Sequence, residues 1–321
     1  MSLTLTATRH PSQLGEEVKM AKNSPKPPSQ QQSSNDESMN QQVDAGSINM
    51  VIRQDPFSIT LDASALLFSS ILLVIGMHTM SPLLLQSLVI AVPVLLLIRN
   101  DYHNFLNLGP GGTPPTPAGY ARLAWYRLFA LRDPFSPPPR DPKLLPESGI
   151  LTKTPLPYRP GPRPAVAGLA PQRQLNQPGS PQIYDMLKSA ILKLVESNPK
   201  KFTTATSCLE KHGFALFARH PLNVCGNGEV VHIHTSDRSM HMNLHPDDIK
   251  EVLEKGWGQR HPMAWRSGWI YTPVPTTFVM IYAPRDENDV KIVAKIIEAA
   301  IWYTASEKVD IEGLLDCSSQ I

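Results

Sequence analysis

Five of the chain's ten histidines fall within thirty residues: His232, His234, His241, His245 and His261. Imidazole changes charge near neutral pH without perturbation and is a common metal ligand, so such a cluster points to proton transfer or metal binding. It closes on the run Gly256-Trp257-Gly258-Gln259-Arg260-His261-Pro262, which adds an indole, an amide and a guanidinium to the imidazoles.

Strand periodicity gives these residues a geometry. Over 229–235, His232 and His234 share one face and Val231 and Ile233 the other. Over 239–244, His241 and Asn243 share a face opposite Met240, Met242 and Leu244. The apolar residues require one common core face, which selects a hairpin loop of even length, such as Asp237-Arg238. His234 is then expected across from His241, and three imidazoles and an amide line one sheet surface. His245-Pro246-Asp247-Asp248 opens a helix, with proline at its first position and two acids at the positive end of its dipole. His245 therefore reads as a helix-start residue, and Gly256 as the helix stop.

The surrounding elements follow from the same patterns. Pro181 starts a helix to about Ser197, with Ile183, Met186, Leu187, Ile191 and Leu194 on one face. A strand is expected at 213–219, another from Thr277 to Ala283, and a long helix from its cap at Asp286 to about Thr304. This order predicts an α+β fold: an antiparallel sheet with packed helices over residues 181–310, an ordinary size for one core. Residues 311–321 read as a tail.

The rest of the chain has a different character. Residues 1–60 are mostly polar and read as disordered, with no hydrophobic signal core. From Ala63 to Ile98 the chain carries no acid, Lys or Arg. This is longer than the roughly 20 residues one spanning helix needs. The break at His78-Thr79-Met80-Ser81-Pro82 predicts two helices, about 61–78 and 82–98, forming a hairpin; one spanning helix preceded by a buried or interfacial one is the alternative. Arg53, Arg99, Arg122, Arg127, Arg132 and Arg140 flank the segment and place both flanks, and the soluble domain, on the cytosolic side. Residues 99–132 form a juxtamembrane region. Within it, Tyr120, Leu123, Ala124, Leu128 and Leu131 predict a helix over 119–131 lying on the membrane surface, or packed on the domain. Eighteen of the 32 prolines lie between Pro110 and Pro181, so residues 133–180 read as an extended polyproline spacer. A formal charge of +2 argues against nucleic acid as a partner. Cys208, Cys225 and Cys317 form no zinc spacing.

His232-Ile233-His234, His241, Lys255 to Pro262 and Ile281-Tyr282-Ala283-Pro284-Arg285 resemble the fungal luciferase family in order and spacing. So does the membrane exit: Arg99-Asn100-Asp101-Tyr102, Phe105-Leu106, Leu108-Gly109-Pro110 and Gly119-Tyr120. The resemblance covers roughly 83–132 and 181–305. It implies a membrane-anchored oxygenase. Family luciferases oxidise 3-hydroxyhispidin, a 3-hydroxy-2-pyrone with a catechol-bearing tail, using O2. A cyclic peroxide then loses CO2 and an excited product emits light. No flavin, haem or added metal is implied, O2 being the co-substrate, and the partners are a small-molecule substrate and membrane lipid.

Such chemistry needs a base to form the enolate and donors or cations to hold enolate and peroxide. The candidate catalytic residues are His232, His234, His241, Arg260 and His261. His234 or His261 is the expected base and Arg260 the oxyanion partner, with Gln259 and His232 orienting the substrate and Trp257 stacking on it. Asn243, Tyr282 and Arg285 complete the substrate-binding set. Each has a plainer structural role to set beside this: imidazoles bonded across a sheet, Trp257 in the core, Arg285 paired with an acid. Two other functions compete. One is a metal enzyme using His232, His234 and His261, for which Glu229 is a nearby carboxylate on the wrong strand parity. The other is a membrane-tethered binding module without turnover.

Overall fold

The computed structural model describes residues 52–57, 62–266 and 272–315. Most of the stretch expected to be disordered lies outside these residues, as does Cys317. The apolar segment forms two helices, α1 (Ala63–Thr79) and α2 (Pro82–Asn107). Asp62 caps α1 through the Ala65 N–H, and Ser81 caps α2 with Pro82 at its first position. Pro93 lies inside α2, which runs past the expected end at residue 98. Its polar continuation has partners: Asp101 binds Arg127 and the Tyr120 hydroxyl, and Phe105 is buried. The chain ahead of α1 returns to the same place, because the Asp55 carbonyl accepts bonds from the Asn100 and Asn104 side chains. Among the described residues one helix, α2, is long and apolar enough to cross a membrane, and α1 is a shorter apolar helix. Both expose their apolar side chains, as at Phe68, Leu83 and Ile90.

Helix α3 (Pro117–Arg127) turns Leu123 inward and leaves Trp125 and, just beyond it, Leu128 exposed. It is shorter than the 119–131 pattern predicted, starting at the Thr116 cap and stopping at Arg127.

The segment expected to be a spacer is instead a strap packed on the domain. It contains a small hairpin, β1 (Val166–Gly168) and β2 (Gln172–Gln174). Leu151 and Leu156 are buried in the main core, each contributing roughly 1.5–3 kcal/mol. Proline rules out long regular elements here, but it does not stop side chains between the prolines from packing.

Helix α4 (Pro181–Ser197) matches its sequence pattern. There follow β3 (Phe202–Thr206), β4 (Phe214–Ala218), a 3-10 turn at Gly226–Gly228, β5 (Glu229–Ile233), β6 (Met240–Asn243), α5 (Pro246–Lys255), β7 (Gly258–Arg260), β8 (Phe278–Ile281), α6 (Glu287–Ala305) and α7 (Glu312–Leu315). The six strands β3-β4-β5-β6-β8-β7 form one antiparallel sheet, so the fold is α+β with packed helices. Sequence missed β3, a Thr-rich edge, and β7, only three residues long. Helices α4 and α6 pack with Val231, Ile233, Met240 and Met242 in one core. The opposite sheet face is covered by the strap and by α3.

Candidate functional site

The even-loop expectation holds for the faces, but the pairing is displaced by one rung. His232 lies opposite His241, and His234 is opposite Ser239 across the loop Thr235–Arg238. A four-residue loop keeps the parity of a two-residue loop, so the apolar set still enters the core and the imidazoles still share the other face. The His234 and His241 rings meet through Nε2 and Nδ1 at 3.0 Å, and His241 Nδ1 lies 3.3 Å from His232 Nε2.

Each ring is oriented by a group on its other nitrogen. His232 Nδ1 lies 2.5 Å from Glu229 Oε1, and His241 Nε2 lies 2.9 Å from Gln172 Oε1. His234 Nδ1 lies 2.9 Å from Ser239 Oγ and 3.3 Å from Asp237 Oδ1. Glu229 reaches the imidazole face despite its strand parity because a bulge between β4 and β5 adds a residue at Val230.

His261 comes from a different element. Its Nδ1 accepts the Met263 N–H at 3.1 Å and its Nε2 donates to the Leu169 carbonyl at 2.9 Å, which fixes a neutral tautomer. Burial drives its pKa down to about 4. Burial also lowers His234, with Arg173 reinforcing it, and holds His241 well below the ordinary value, helped by the neighbouring rings. Burial opposes ionisation of Glu210, yet the Arg173 guanidinium bonded to it and the nearby imidazoles hold its carboxyl below the usual range. Burial likewise opposes ionisation of Glu229, and the hydrogen bond and charge of His232, with the bonds from Cys208 and Ser207, together outweigh it.

His232, His241, His261 and Glu210 face a cavity of about 180 Å³. A dry cavity of roughly 150 Å³ already takes up benzene, so this one has room for a ring-sized ligand. His232, His241, His261 and Gln172 supply its polar side, with Glu210 beside them. Leu123, Leu169, Met263, Val274 and Phe278 form its apolar wall, and Phe278 stacks on His241 at 5.2 Å. Helix α3 adds Arg122 and Tyr126 to the lining. Gln172 Nε2 is buried and has no hydrogen-bond partner among the described residues.

Residues 227–300, the span holding all five clustered histidines, helix α5 and most of α6, match the family described as the luciferase domain. The luciferase of Neonothopanus nambi is 32% identical over 241 residues, covering 68% of this chain and 84% of that protein. The chain belongs to the fungal luciferase family. The Armillaria ostoyae luciferase is 34% identical over 230 residues, covering 65% of this chain and 82% of its own length. The Armillaria gallica luciferase is 32% identical over 234 residues, covering 67% and 84%. No solved structure matches the chain.

Within this family fold, the residues expected to form one site divide. His232, His241 and His261 line the cavity, and His234 stands behind them against His241. Arg260 does not join them. It pairs with Val279 and so takes the helix-side face, where its guanidinium binds the carbonyls of Ser136, Ala264 and Thr276. Trp257 is in the core, its indole N–H on the Pro157 carbonyl at 2.7 Å. Gln259 shares the imidazole face but lies beyond Met280, two strands from His241, and accepts from the Tyr282 hydroxyl. The Arg159 guanidinium lies 5.6 Å from the centroid of the Tyr282 ring. Asn243 accepts from Thr277 and lines a separate cavity. Arg285 pairs with Asp289. His245 caps α5 through the Asp247 N–H, as its position before Pro246 predicted.

Sequence reasoning missed Gln172, Arg173, Glu210 and Asp237. Gln172 and Arg173 sit in the strap, and only the short polar run Gln172-Arg173-Gln174 between prolines marked them. Asp237 looked like a turn residue, but it accepts the Gln174 N–H at 2.5 Å and so locks the strap hairpin over the imidazoles.

Proposed function

We propose that the protein is a membrane-anchored, luciferase-like oxygenase that joins O2 to a hydroxypyrone or a related polyketide or phenolic substrate. The observation that carries this reading is the convergence of imidazoles and the Gln172 Nε2–H group, unpartnered among the described residues, on one apolar-walled cavity in a member of this family. An electron-rich enolate needs hydrogen-bond donors and a counter-charge in a site that keeps water away. The Gln172 Nε2–H group is the donor for a substrate oxygen, and Arg122 on α3 supplies the charge. His261 spends both ring nitrogens on the backbone and His234 lies behind its neighbours, so the ring edges of His232 and His241 are the groups that meet substrate and O2.

Helices α1 and α2 form the anchor as a hairpin. The bonds from Asn100 and Asn104 to Asp55 support this, because they hold both ends of the apolar segment together. The flanking arginines favour the cytosolic face. Trp125 on α3 and Leu128 at its end suit the headgroup layer. The same helix lines the cavity, which supports access to it from a surface where an amphiphilic pyrone would collect.

Oxygen uptake by the purified chain in detergent, with hydroxypyrones and catechol-type polyketides, tests this reading. Stoichiometric uptake that slows about 10–100-fold on Gln172→Leu in a folded protein supports it. Saturable binding without uptake indicates a binding module instead.

A further inference from the structure

The three imidazoles of the sheet face are built as a set of donors. Their outer nitrogens rest on fixed acceptors: Glu229 for His232, Gln172 Oε1 for His241, and Ser239 with Asp237 for His234. The Ser239 hydroxyl has one proton, and at 2.9 Å it bonds Asp237 Oδ1, so the proton between Ser239 and His234 belongs to the ring. A neutral imidazole that donates from its outer nitrogen carries its lone pair on the inner one. Those inner nitrogens face one another at 3.0 and 3.3 Å, and all three lie within 4.8 Å. Converging lone pairs repel unless a cation sits among them.

The charge around them indicates how large that cation must be. Glu210 is balanced by Arg173. Glu229 and Asp237 are buried, and their hydrogen bonds and ion pairs run to imidazoles, hydroxyls, a thiol and backbone N–H groups. Two buried carboxylates need two positive charges nearby. Two imidazolium rings, His232 and His234, would supply them only by crowding two N–H groups onto the single lone pair of His241 Nδ1, with like charges on rings 5.3 Å apart. A single divalent ion supplies both charges at one point and uses every lone pair. Carboxylate and amide partners on the remote ring nitrogens are the usual support of metal-bound histidines.

We propose that His232, His234 and His241 bind one divalent first-row transition ion on the cavity side of the sheet. Three neutral nitrogen donors without thiolate suit ions from iron(II) to zinc(II). The site differs from the ligand set expected from sequence, because His261 is tied to the backbone and His241 takes its place. The inference deepens the oxygenase reading, which supplies only the purpose of the ion.

The test is metal content of the full chain purified in detergent, followed by chelation and titration with cobalt(II), read by its visible ligand-field bands. The expected result is about one ion per chain with nitrogen-donor bands. His234→Gln and His241→Gln should abolish both, while Glu229→Gln weakens cobalt binding on the order of 10–100-fold. His261→Gln, which removes a ring outside the set, should keep the stoichiometry. Circular dichroism shows which variants fold, and the native titration decides the case if none do. A native chain that neither carries nor takes up an ion overturns the proposal, as does unaltered binding in all three variants. A metal-free chain that still consumes oxygen sinks the metal site and keeps the oxygenase. A metal-bound chain without turnover does the reverse.

Discussion

Two histidine-bearing regions of this molecule look equally functional in the sequence and behave differently in the fold. The hairpin of β5 and β6 carries a weak signal, a His-x-His pair and one more histidine, yet it gathers three imidazoles beside the cavity. The run from Gly256 to Pro262 is the most specific motif in the chain, yet only His261 from it reaches the cavity. The rest of that run builds structure. Gly256 has φ +82°, a left-handed cap. A Cβ on Gly258 would sit 2.4 Å from the Met280 carbonyl oxygen. Trp257 fills the core and Arg260 ties three carbonyls. A long motif records constraint, and constraint on backbone and core is as strict as constraint on chemistry.

Trp257→Ala should break this contrast most visibly. Removing a buried indole from the core is expected to cost about 3–5 kcal/mol of unfolding free energy. The fraction that remains folded should consume oxygen with ordinary kcat, because the indole lies on the other side of the sheet from the cavity. Denaturant unfolding in detergent alongside oxygen uptake checks both. Intact stability with lost turnover would return Trp257 to the substrate.

The strap touches both regions, and its two contacts should read out differently. On the motif side, Asp248 at the start of α5 accepts the N–H groups of Ile150 and Leu151. Burial raises its pKa from 3.8 to about 6, against those two hydrogen bonds and with help from Asp247 and Glu251. A carboxyl with a raised folded-state pKa binds its proton more tightly folded than unfolded. The stability it contributes is full below about pH 4 and is lost as pH rises through about 6. Relative to Asp248→Asn, the native chain should therefore lose on the order of 2–3 kcal/mol between those limits. Unfolding free energies of both proteins at several pH values measure this, and a constant difference would refute it.

Alternation and helix patterns made the faces of both regions legible. Val231, Ile233, Met240 and Met242 demand one core, and that demand alone aligned the histidines. Partners contributed from far along the chain were not legible. Glu229 changed faces through a one-residue bulge, and neither a bulge nor a two-residue difference in loop length leaves a mark in the apolar pattern. Gln172 and Arg173 lie in a segment whose prolines argue only about backbone, so nothing there announced that its side chains cross to the sheet. Arg260 was misplaced because β7 is too short to show a period, and face assignment needs one.

On the cavity side, Gln172→Leu removes the acceptor that orients His241 and the free N–H group beside it. The expected loss is about 10–100-fold in kcat/KM, the usual cost of deleting a group that orients a reacting imidazole. Apolar leucine fills similar volume, so stability should change by no more than about 1 kcal/mol. A large loss of stability with unchanged kcat/KM would assign Gln172 to the scaffold and erase the difference between the two strap contacts.

The smallest effect is expected at Arg285, which the sequence offered as a substrate ligand. Its guanidinium is partly exposed, pairs with Asp289 at 2.6 Å and reaches the Pro160 carbonyl, outside the cavity lining. A partly solvated pair of this kind contributes about 1 kcal/mol or less. The Arg285 N–H still bonds Asp289 after truncation, so the buried carboxylate keeps a partner. Arg285→Ala should therefore unfold almost as the native chain does and turn over at the native rate. A tenfold fall in kcat/KM at unchanged stability would mean that substrate extends past Met280 to the Gln259–Tyr282 side of the sheet. The motif would then be a second part of the site rather than its scaffold.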